Sequence, residues 1–485
     1  MINIKDIRNI VLPILPKIVI YIFLLIYIYN FYKYSLQRGP TYGVIVASVP
    51  IILICTFILF KKPLWAFISL FIANYVVMGV NRYISFPASV LMDSILFFCL
   101  ISLLIKSTYT NICWRKCLNP ILFIFFIWLL FCVLELANRS NVNDWYTKVR
   151  GLAIYPFIMI ILVSVLIDKY KHLKWLLVTW AILTILAAIK GYWQKNHGFD
   201  STEVMWLYVG GGAKTHLINS GIRYFSFFSD AGNFGSCMGM SLVTFSICTF
   251  YVRNNYLRIL FILAALSGGY GMLISGTRGA LIVPFAGYTT MIFLSKNIKI
   301  SISTLFAIAS VFVFLNFTTI GDSNRLIKRM RTAFDTNDAS LNVRLENQKK
   351  LKNYLKELPF GAGIGFSSTS EDIQSPYYDF SKIPSDSWFV RVWIQTGIVG
   401  LVIYVMLILI TLIIGGYIIL FKIKNKEIRG VITAFLAGVV GLTASAYGNE
   451  LLGQFPNCYL YFFCFATVFM GKYYDKELEE HEQLN

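Results

Sequence analysis

Histidine occurs only four times in this 485-residue chain, and charged residues make up just 14% of it. No Walker A lysine loop and no HExxH helix is present, and no serine, histidine and aspartate share a loop context that would support a hydrolytic triad. The nine cysteines fall mostly inside apolar runs (Cys55, Cys99, Cys132, Cys237, Cys248, Cys464), and Cys113 and Cys117 share a loop without a His or Cys pair beside them. They read as small buried hydrophobes, which argues against a disulfide framework and a zinc site. The reading therefore carries neither a metal nor a cofactor.

What the chain has instead is apolar length. Hydrophobic residues make up 57% and aromatics 16%, far more than a soluble core of this size needs. About fourteen apolar runs recur, each long enough to cross roughly 30 Å of hydrocarbon as a helix. They fall at residues 17–35, 42–60, 63–80, 88–105, 119–136, 151–168, 172–190, 231–252, 256–274, 279–296, 299–317, 397–421, 430–446 and 456–471. The first lacks a small-residue cleavage site and reads as a retained span. The expectation is an all-α polytopic membrane protein, a single integral membrane domain over 1–485 with about 12–14 transmembrane helices. The net charge of +19 does not point to nucleic acid, because the basic residues are spread through the connections and form no aromatic-interleaved stripe.

Those basic residues set orientation. Connections after even-numbered spans carry Lys61, Lys62, Lys106, Arg115, Lys116, Lys169, Lys171, Lys174, Arg253, Arg258, Lys296, Lys299, Lys422, Lys424, Lys426 and Arg429, whereas the short opposite connections carry few, such as Arg82. By the positive-inside rule, the even connections and both termini are cytoplasmic. Two outer connections are long: 191–230, and 318–396. Long, Gly-punctuated, aromatic loops in a compact fold are where function is expected. In the longer one, Ser340 can cap an amphipathic helix through Leu341, Leu345, Leu351, Leu355 and Leu358, closed by Pro359 and followed by Phe360-Gly361-Ala362-Gly363-Ile364-Gly365, whose glycines permit close backbone approach to a ligand.

Four charged positions stand on this outer side. Arg278 sits in Ser275-Gly276-Thr277-Arg278-Gly279, an open turn suited to an anion, although an arginine at a membrane boundary also simply snorkels. Arg223 precedes Asp230 and Asn233 at the start of a span, where Asp230 can be a helix cap and Arg223 its ion-pair partner. Arg344 can lie on the apolar edge of the amphipathic helix or on its solvated face. Asp386 is either the cap of a helix starting near Ser387 or, in company with the arginines and Arg391, part of a site. Arginine clamps phosphate bidentately and a carboxylate can take a proton from a hydroxyl. His197 and His216 occupy the shorter outer loop and read as solvated, without being excluded from a site.

Taken together, Arg223 to Gly235, Ser275 to Ala280, Arg344 to Gly365 and Asp386 to Leu401 resemble the O-antigen ligase and polymerase superfamily, across roughly residues 220–405. The rest of the chain matches only as hydropathy. The resemblance implies a bacterial inner-membrane glycosyltransferase that moves undecaprenyl-diphosphate-linked glycan on the periplasmic face, with neither metal nor nucleotide sugar. It implies that Arg278 and Arg344 match the arginines that bind the donor diphosphate, that Arg223, Asp230, Gly363, Gly365 and Arg391 bind substrate, and that Asp386 assists the acceptor. Its partners would be the lipid-linked oligosaccharide, an acceptor glycan or glycolipid, membrane lipids and a chain-length regulator. Ligating members carry His-Asn where this chain has Asp386-Ser387, and polymerase-like members tolerate aspartate there, so the expectation is an inverting O-antigen or surface-polysaccharide polymerase. An ordinary carboxylate, with a pKa of about 4, is a weak base at neutral pH, so orienting the acceptor would matter more than taking its proton. Two alternatives stay open: a ligase that transfers glycan to lipid A core, and a lipid-linked glycan flippase. The flippase is the weaker, since transporters place charges near the midplane on broken helices.

Overall fold

The computed structural model of the chain describes residue 21 and residues 25–33, 56–138, 142–218, 221–334, 339–366 and 378–484. Contacts divide the chain into two compact units, Met1–Pro63 and Leu64–Asn485. In the first, residues 25–33 and 56–61 are helical; most of the expected spans 17–35 and 42–60 lie outside the described residues.

Among its described residues the second unit is helical, apart from a two-stranded antiparallel hairpin of β1 (Leu217–Ile218) and β2 (Gly221–Ile222). Its long helices are α1 (Pro63–Tyr83), α2 (Ala88–Tyr109), α3 (Pro120–Asn138), α4 (Val142–Leu166) and α5 (Tyr170–His197). The short α6 (Ser201–Tyr208) follows, then α7 (Ala231–Tyr251), α8 (Asn255–Ile274), the shorter α9 (Arg278–Leu294) and α10 (Ile298–Phe317). Next come α11 (Arg325–Arg331), α12 (Ala339–Leu355), α13 (Trp388–Lys422), α14 (Lys426–Ser445) and α15 (Asn457–Leu484). Among the described residues, ten helices are long and apolar enough to cross a membrane, as a polytopic protein requires when its backbone must satisfy itself inside lipid. Local sequence starts several of them: the side chains of Asn119, Asp230, Asn254 and Asn425 each accept from a first-turn amide of the helix they precede.

The centre is built from α7, α14, α15 and the apolar part of α4, most of whose side chains are buried. Small residues let backbones approach where lipid offers no hydrophobic driving force. At Gly441 of α14, a Cβ would lie 2.5 Å from the Val283 carbonyl oxygen of α9. At the rim, α10 has only 11% of its best apolar window buried, so most of its surface is left to lipid. The expected start of the twelfth span at residue 397 marks a real break: Gly397 interrupts α13 with φ 65° and ψ −170°.

Two expectations shift. The helix α4 begins at Val142, nine residues before the apolar run that announced it, and its polar first turns are largely exposed, with burial starting at Val149. Ser340 does not precede the amphipathic helix but lies inside its first turn, since α12 starts at Ala339.

A charged group sits in the packed interior. Asp93 of α2 accepts from Arg150 and from the Tyr155 hydroxyl, both of α4, and all three residues are buried. Arg150 opens a π-helical turn, Arg150–Ile154, that shifts the register of α4 there. Removing one member strands the other charge in an apolar surround. Asp93→Ala alone is expected to cost about 3–5 kcal/mol, whereas Asp93→Leu combined with Arg150→Leu should recover most of it. Thermal unfolding in detergent compares the two, and a double variant no more stable than the single one would contradict this view of the pair.

Candidate active site

Four arginines from four separate elements meet at one pocket. Arg223 follows β2, Arg278 opens α9, Arg329 lies on α11 and Arg344 on α12. With Thr277, Gly279, Gly448 and Asn449 they line a cavity of about 120 Å³. The structure thus brings Arg223, Arg278 and Arg344 together, and adds Arg329 and the Gly448-Asn449 turn after α14.

Each arginine has its own support. Arg223 donates from Nη1 to the Thr215 carbonyl (3.0 Å) and from Nη2 to Thr277 Oγ1 (2.8 Å), while its buried Nε finds no partner among the described residues. Thr277 in turn donates to the Ala231 carbonyl at 2.8 Å, which ties the Ser275–Gly279 turn to the first residue of α7. Gly276 takes φ 58°, a left-handed conformation that a side chain would resist, and its carbonyl accepts from Arg329 Nε. Arg278 donates from Nη1 to Thr332 Oγ1 at 3.3 Å. Arg344 shares a helical face with Leu351 and Leu355, one and one and a half heptads on. Those two leucines are buried in a small core with Ala362, Phe366, Phe380, Val390 and Ile394, so docking of α12 on α13 carries Arg344 to the pocket.

Burial is the first cause that holds the Arg223 guanidinium below its ordinary pKa; the neighbouring Arg278 and Arg344 add to the effect and Asp230 opposes it. The guanidinium stays charged all the same, since arginine does not deprotonate in proteins. Like charges crowded into a small, partly dry space create a site that an anion with several oxygens would relieve.

The remaining expected residues take other places. Asp230 caps α7, accepting from the Asn233 amide at 2.9 Å and from Ser229 Oγ at 3.0 Å. Gly363 and Gly365 have φ of 87° and 111° but do not line the pocket. At Gly365 a Cβ would meet the Asp144 carbonyl carbon at 2.6 Å, so that glycine permits the loop to lie on the polar start of α4. Arg391 pairs with Glu450 at 2.6 Å.

Asp386 is exposed and adopts φ 49°, an uncommon conformation for a residue other than glycine. It is not the cap of α13, because Ser387 occupies that position. Its segment is strapped to the turn after α14: Ser385 donates to Glu450, and the Trp388 amide donates to the Ala446 carbonyl at 3.0 Å and the Asn449 carbonyl at 3.3 Å. Gly448 and Asn449 of that same turn line the arginine pocket. Asp386 therefore stands across a short turn from the arginines, outside the lining itself.

His216 is buried and not solvated. Its Nε2 accepts from the Ala231 amide (3.1 Å), and its Nδ1 lies 2.9 Å from the Gly212 carbonyl, so the neutral ring with its proton on Nδ1 helps to cap α7. His197 ends α5 stacked on Trp193, ring centroids 4.2 Å apart.

Residues 259–405 match the family model described as O-antigen ligase. The chain is also similar to an O-antigen polymerase of Salmonella muenchen, 23% identical over 341 residues that cover 65% of this chain and 80% of the relative. The matched family segment contains Arg278, Arg329, Arg344, Asp386 and Arg391, and leaves Arg223 and Asn449 outside it.

Burial lowers the pKa of His216 from its ordinary 6.5. A histidine that holds its proton less well folded than unfolded costs nothing above about 6.5 and destabilises as pH falls below it. The melting temperature in detergent should therefore drop between pH 7.5 and 5.5, and His216→Gln should flatten that slope. An equally steep slope in the variant would place the titrating group elsewhere.

Proposed function

We propose that this multi-pass membrane protein, a member of the O-antigen ligase and polymerase superfamily, extends a surface polysaccharide by joining lipid-diphosphate-linked glycan units on the outer face of the bacterial inner membrane. The observation that carries the reading is the pocket where Arg223, Arg278, Arg329 and Arg344 converge. A diphosphate offers many oxygens in a compact volume, and guanidinium groups fixed by Thr277, Gly276 and Thr332 are oriented before it arrives.

In the proposed transfer, an acceptor sugar hydroxyl attacks the anomeric carbon of the donor from the side opposite the diphosphate. The new C–O bond forms as the bond to the diphosphate oxygen breaks, and its electron pair leaves with that oxygen. The anomeric centre inverts. The arginines neutralise the charge that gathers on the departing diphosphate, which is where preorganised donors lower a barrier most. Asp386, on the far side of the Gly448–Glu450 turn, orients the acceptor hydroxyl and receives its proton. The carboxylate at this position, where ligating members carry histidine, and the similarity to an O-antigen polymerase favour chain extension. The O-antigen ligase description of the matched segment supports a second reading, transfer of the finished glycan to a core glycolipid.

Purified full-length protein in nanodiscs, supplied with a lipid-diphosphate-linked repeat unit, should produce a ladder of products resolved by gel and mass spectrometry. Arg278→Ala and Arg344→Ala are each expected to slow turnover by about 10²-fold or more, as loss of one transition-state donor does. Lysine at either position should recover only part of this, because it offers a point charge in place of a fork. A single addition that requires a core glycolipid would favour ligation. Donor left intact with every acceptor would contradict glycosyl transfer.

A further inference from the structure

One basic residue stands apart from both the arginine pocket and the lysine-rich connections. Arg82, in the last turn of α1, reaches the segment 225–228 between β2 and α7. Its guanidinium lies between the rings of Trp206 and Phe225, 4.5 and 4.4 Å from their centroids. The two ends of its fork donate to carbonyls of that segment, Nη1 to Ser226 at 3.2 Å and Nη2 to Phe228 at 2.5 Å. At Gly79, one turn earlier on α1, a Cβ would lie 2.5 Å from the Cβ of Phe227, so helix and segment are in direct contact.

The residue held in this way is Ser226, which is fully buried and takes φ 52°. A residue other than glycine keeps such a left-handed backbone only where its surroundings fix it. Here α1, α5 and α6 all do so. The Ser226 amide donates to Gln194 Oε1 at 2.8 Å, its carbonyl accepts from Gln194 Nε2 at 3.1 Å as well as from Arg82, and its hydroxyl donates to the Ala187 carbonyl at 2.8 Å. Gln194 also donates to the buried carboxylate of Glu203 at 2.8 Å, and Glu203 pairs with Lys190 at 2.9 Å. Two functional positions flank this turn. Arg223 precedes it and lines the arginine pocket; Asp230 follows it and caps α7, whose first carbonyl holds Thr277.

We propose that Arg82 is a positioning residue for glycosyl transfer: by clamping the Ser226 turn it sets where Arg223 enters the pocket. The proposal rests on the donor reading above and adds to it a residue that touches no substrate. Arg82 is not among the residues lining the pocket, so it acts through the chain it holds. A shift of about 1 Å in a charge-stabilising group is enough to slow a reaction severely. Lysine would keep the charge between the two rings but could not bridge both carbonyls with a planar fork.

The test is a double-mutant cycle on the full chain in nanodiscs, following kcat/KM for the lipid-diphosphate-linked repeat unit and the melting temperature of each variant. Arg82→Lys should lower kcat/KM about tenfold when Arg223 is present. In the Arg223→Ala background the same change should cost less than about twofold, because a residue that acts only through Arg223 has nothing left to place. In the Arg278→Ala background the tenfold loss should persist. Ser226→Gly accepts the left-handed backbone while removing the bond to Ala187 and the restriction on the turn; it should show the same dependence on Arg223, and it decides the matter if Arg82→Lys fails to fold. Equal losses in every background would leave Arg82 a purely structural role and overturn the proposal, with the donor reading standing. Full turnover by Arg223→Ala would overturn it as well. If the wild-type protein never consumes the donor, the donor reading fails and this proposal with it.

Discussion

Four guanidinium groups around a cavity of about 120 Å³ repel one another, and holding them there is the constraint to which the surrounding part of the fold answers. None of the four elements that supply them could place its arginine alone. Arg223 is fixed by Thr215 and Thr277, and the Thr277 hydroxyl is fixed by the first carbonyl of α7. Arg329 is fixed by Gly276, whose left-handed backbone turns its carbonyl to the guanidinium. Arg344 depends on two leucines buried against the start of α13. Carbonyl and hydroxyl acceptors soften the repulsion without cancelling the charge, so the positive field remains available to an anion.

The same parts border both the arginine pocket and an apolar groove beside it. A turn of α11 and the first turn of α9 each present charge to one side and hydrocarbon to the other. The Gly448–Glu450 turn closes the opposite side, touching the arginine pocket through Asn449 and the Asp386 segment through Glu450. The arginine pocket and the Asp386 segment are in this way separated by a single turn.

Much of this was legible in the residues before any coordinates. The run at 231–252 became Ala231–Tyr251 and that at 256–274 became Asn255–Ile274, because a continuous apolar stretch bounded by Asp230 and Asn254 leaves lipid little alternative to a helix. Arg223, Arg278 and Arg344 stood out as charges beside glycine, threonine or apolar neighbours on one side of the assigned topology. Arg329 did not, since in Arg325-Leu326-Ile327-Lys328-Arg329-Met330-Arg331 it is one basic residue among several, and its bond to Gly276 and its place in the pocket distinguish it. The Gly448–Glu450 turn was hidden for another reason: it is a short connection between two apolar runs, and its importance comes entirely from what packs against it. Gly365 shows the reverse case, a glycine noticed for ligand approach that serves a close contact with α4 instead. Local patterning reads the spans well; long-range pairing decides which polar residues meet.

The central claim is that the four-arginine pocket binds the diphosphate of a lipid-linked donor. The most direct test is a cryo-electron microscopy map of the full chain in nanodiscs, saturated with a hydrolysis-resistant prenyl methylenediphosphonate. The account predicts density bridging Arg278, Arg329 and Arg344, with Arg223 in reach. An empty pocket at saturation, or diphosphonate density beside Arg391 with none at those arginines, would contradict it.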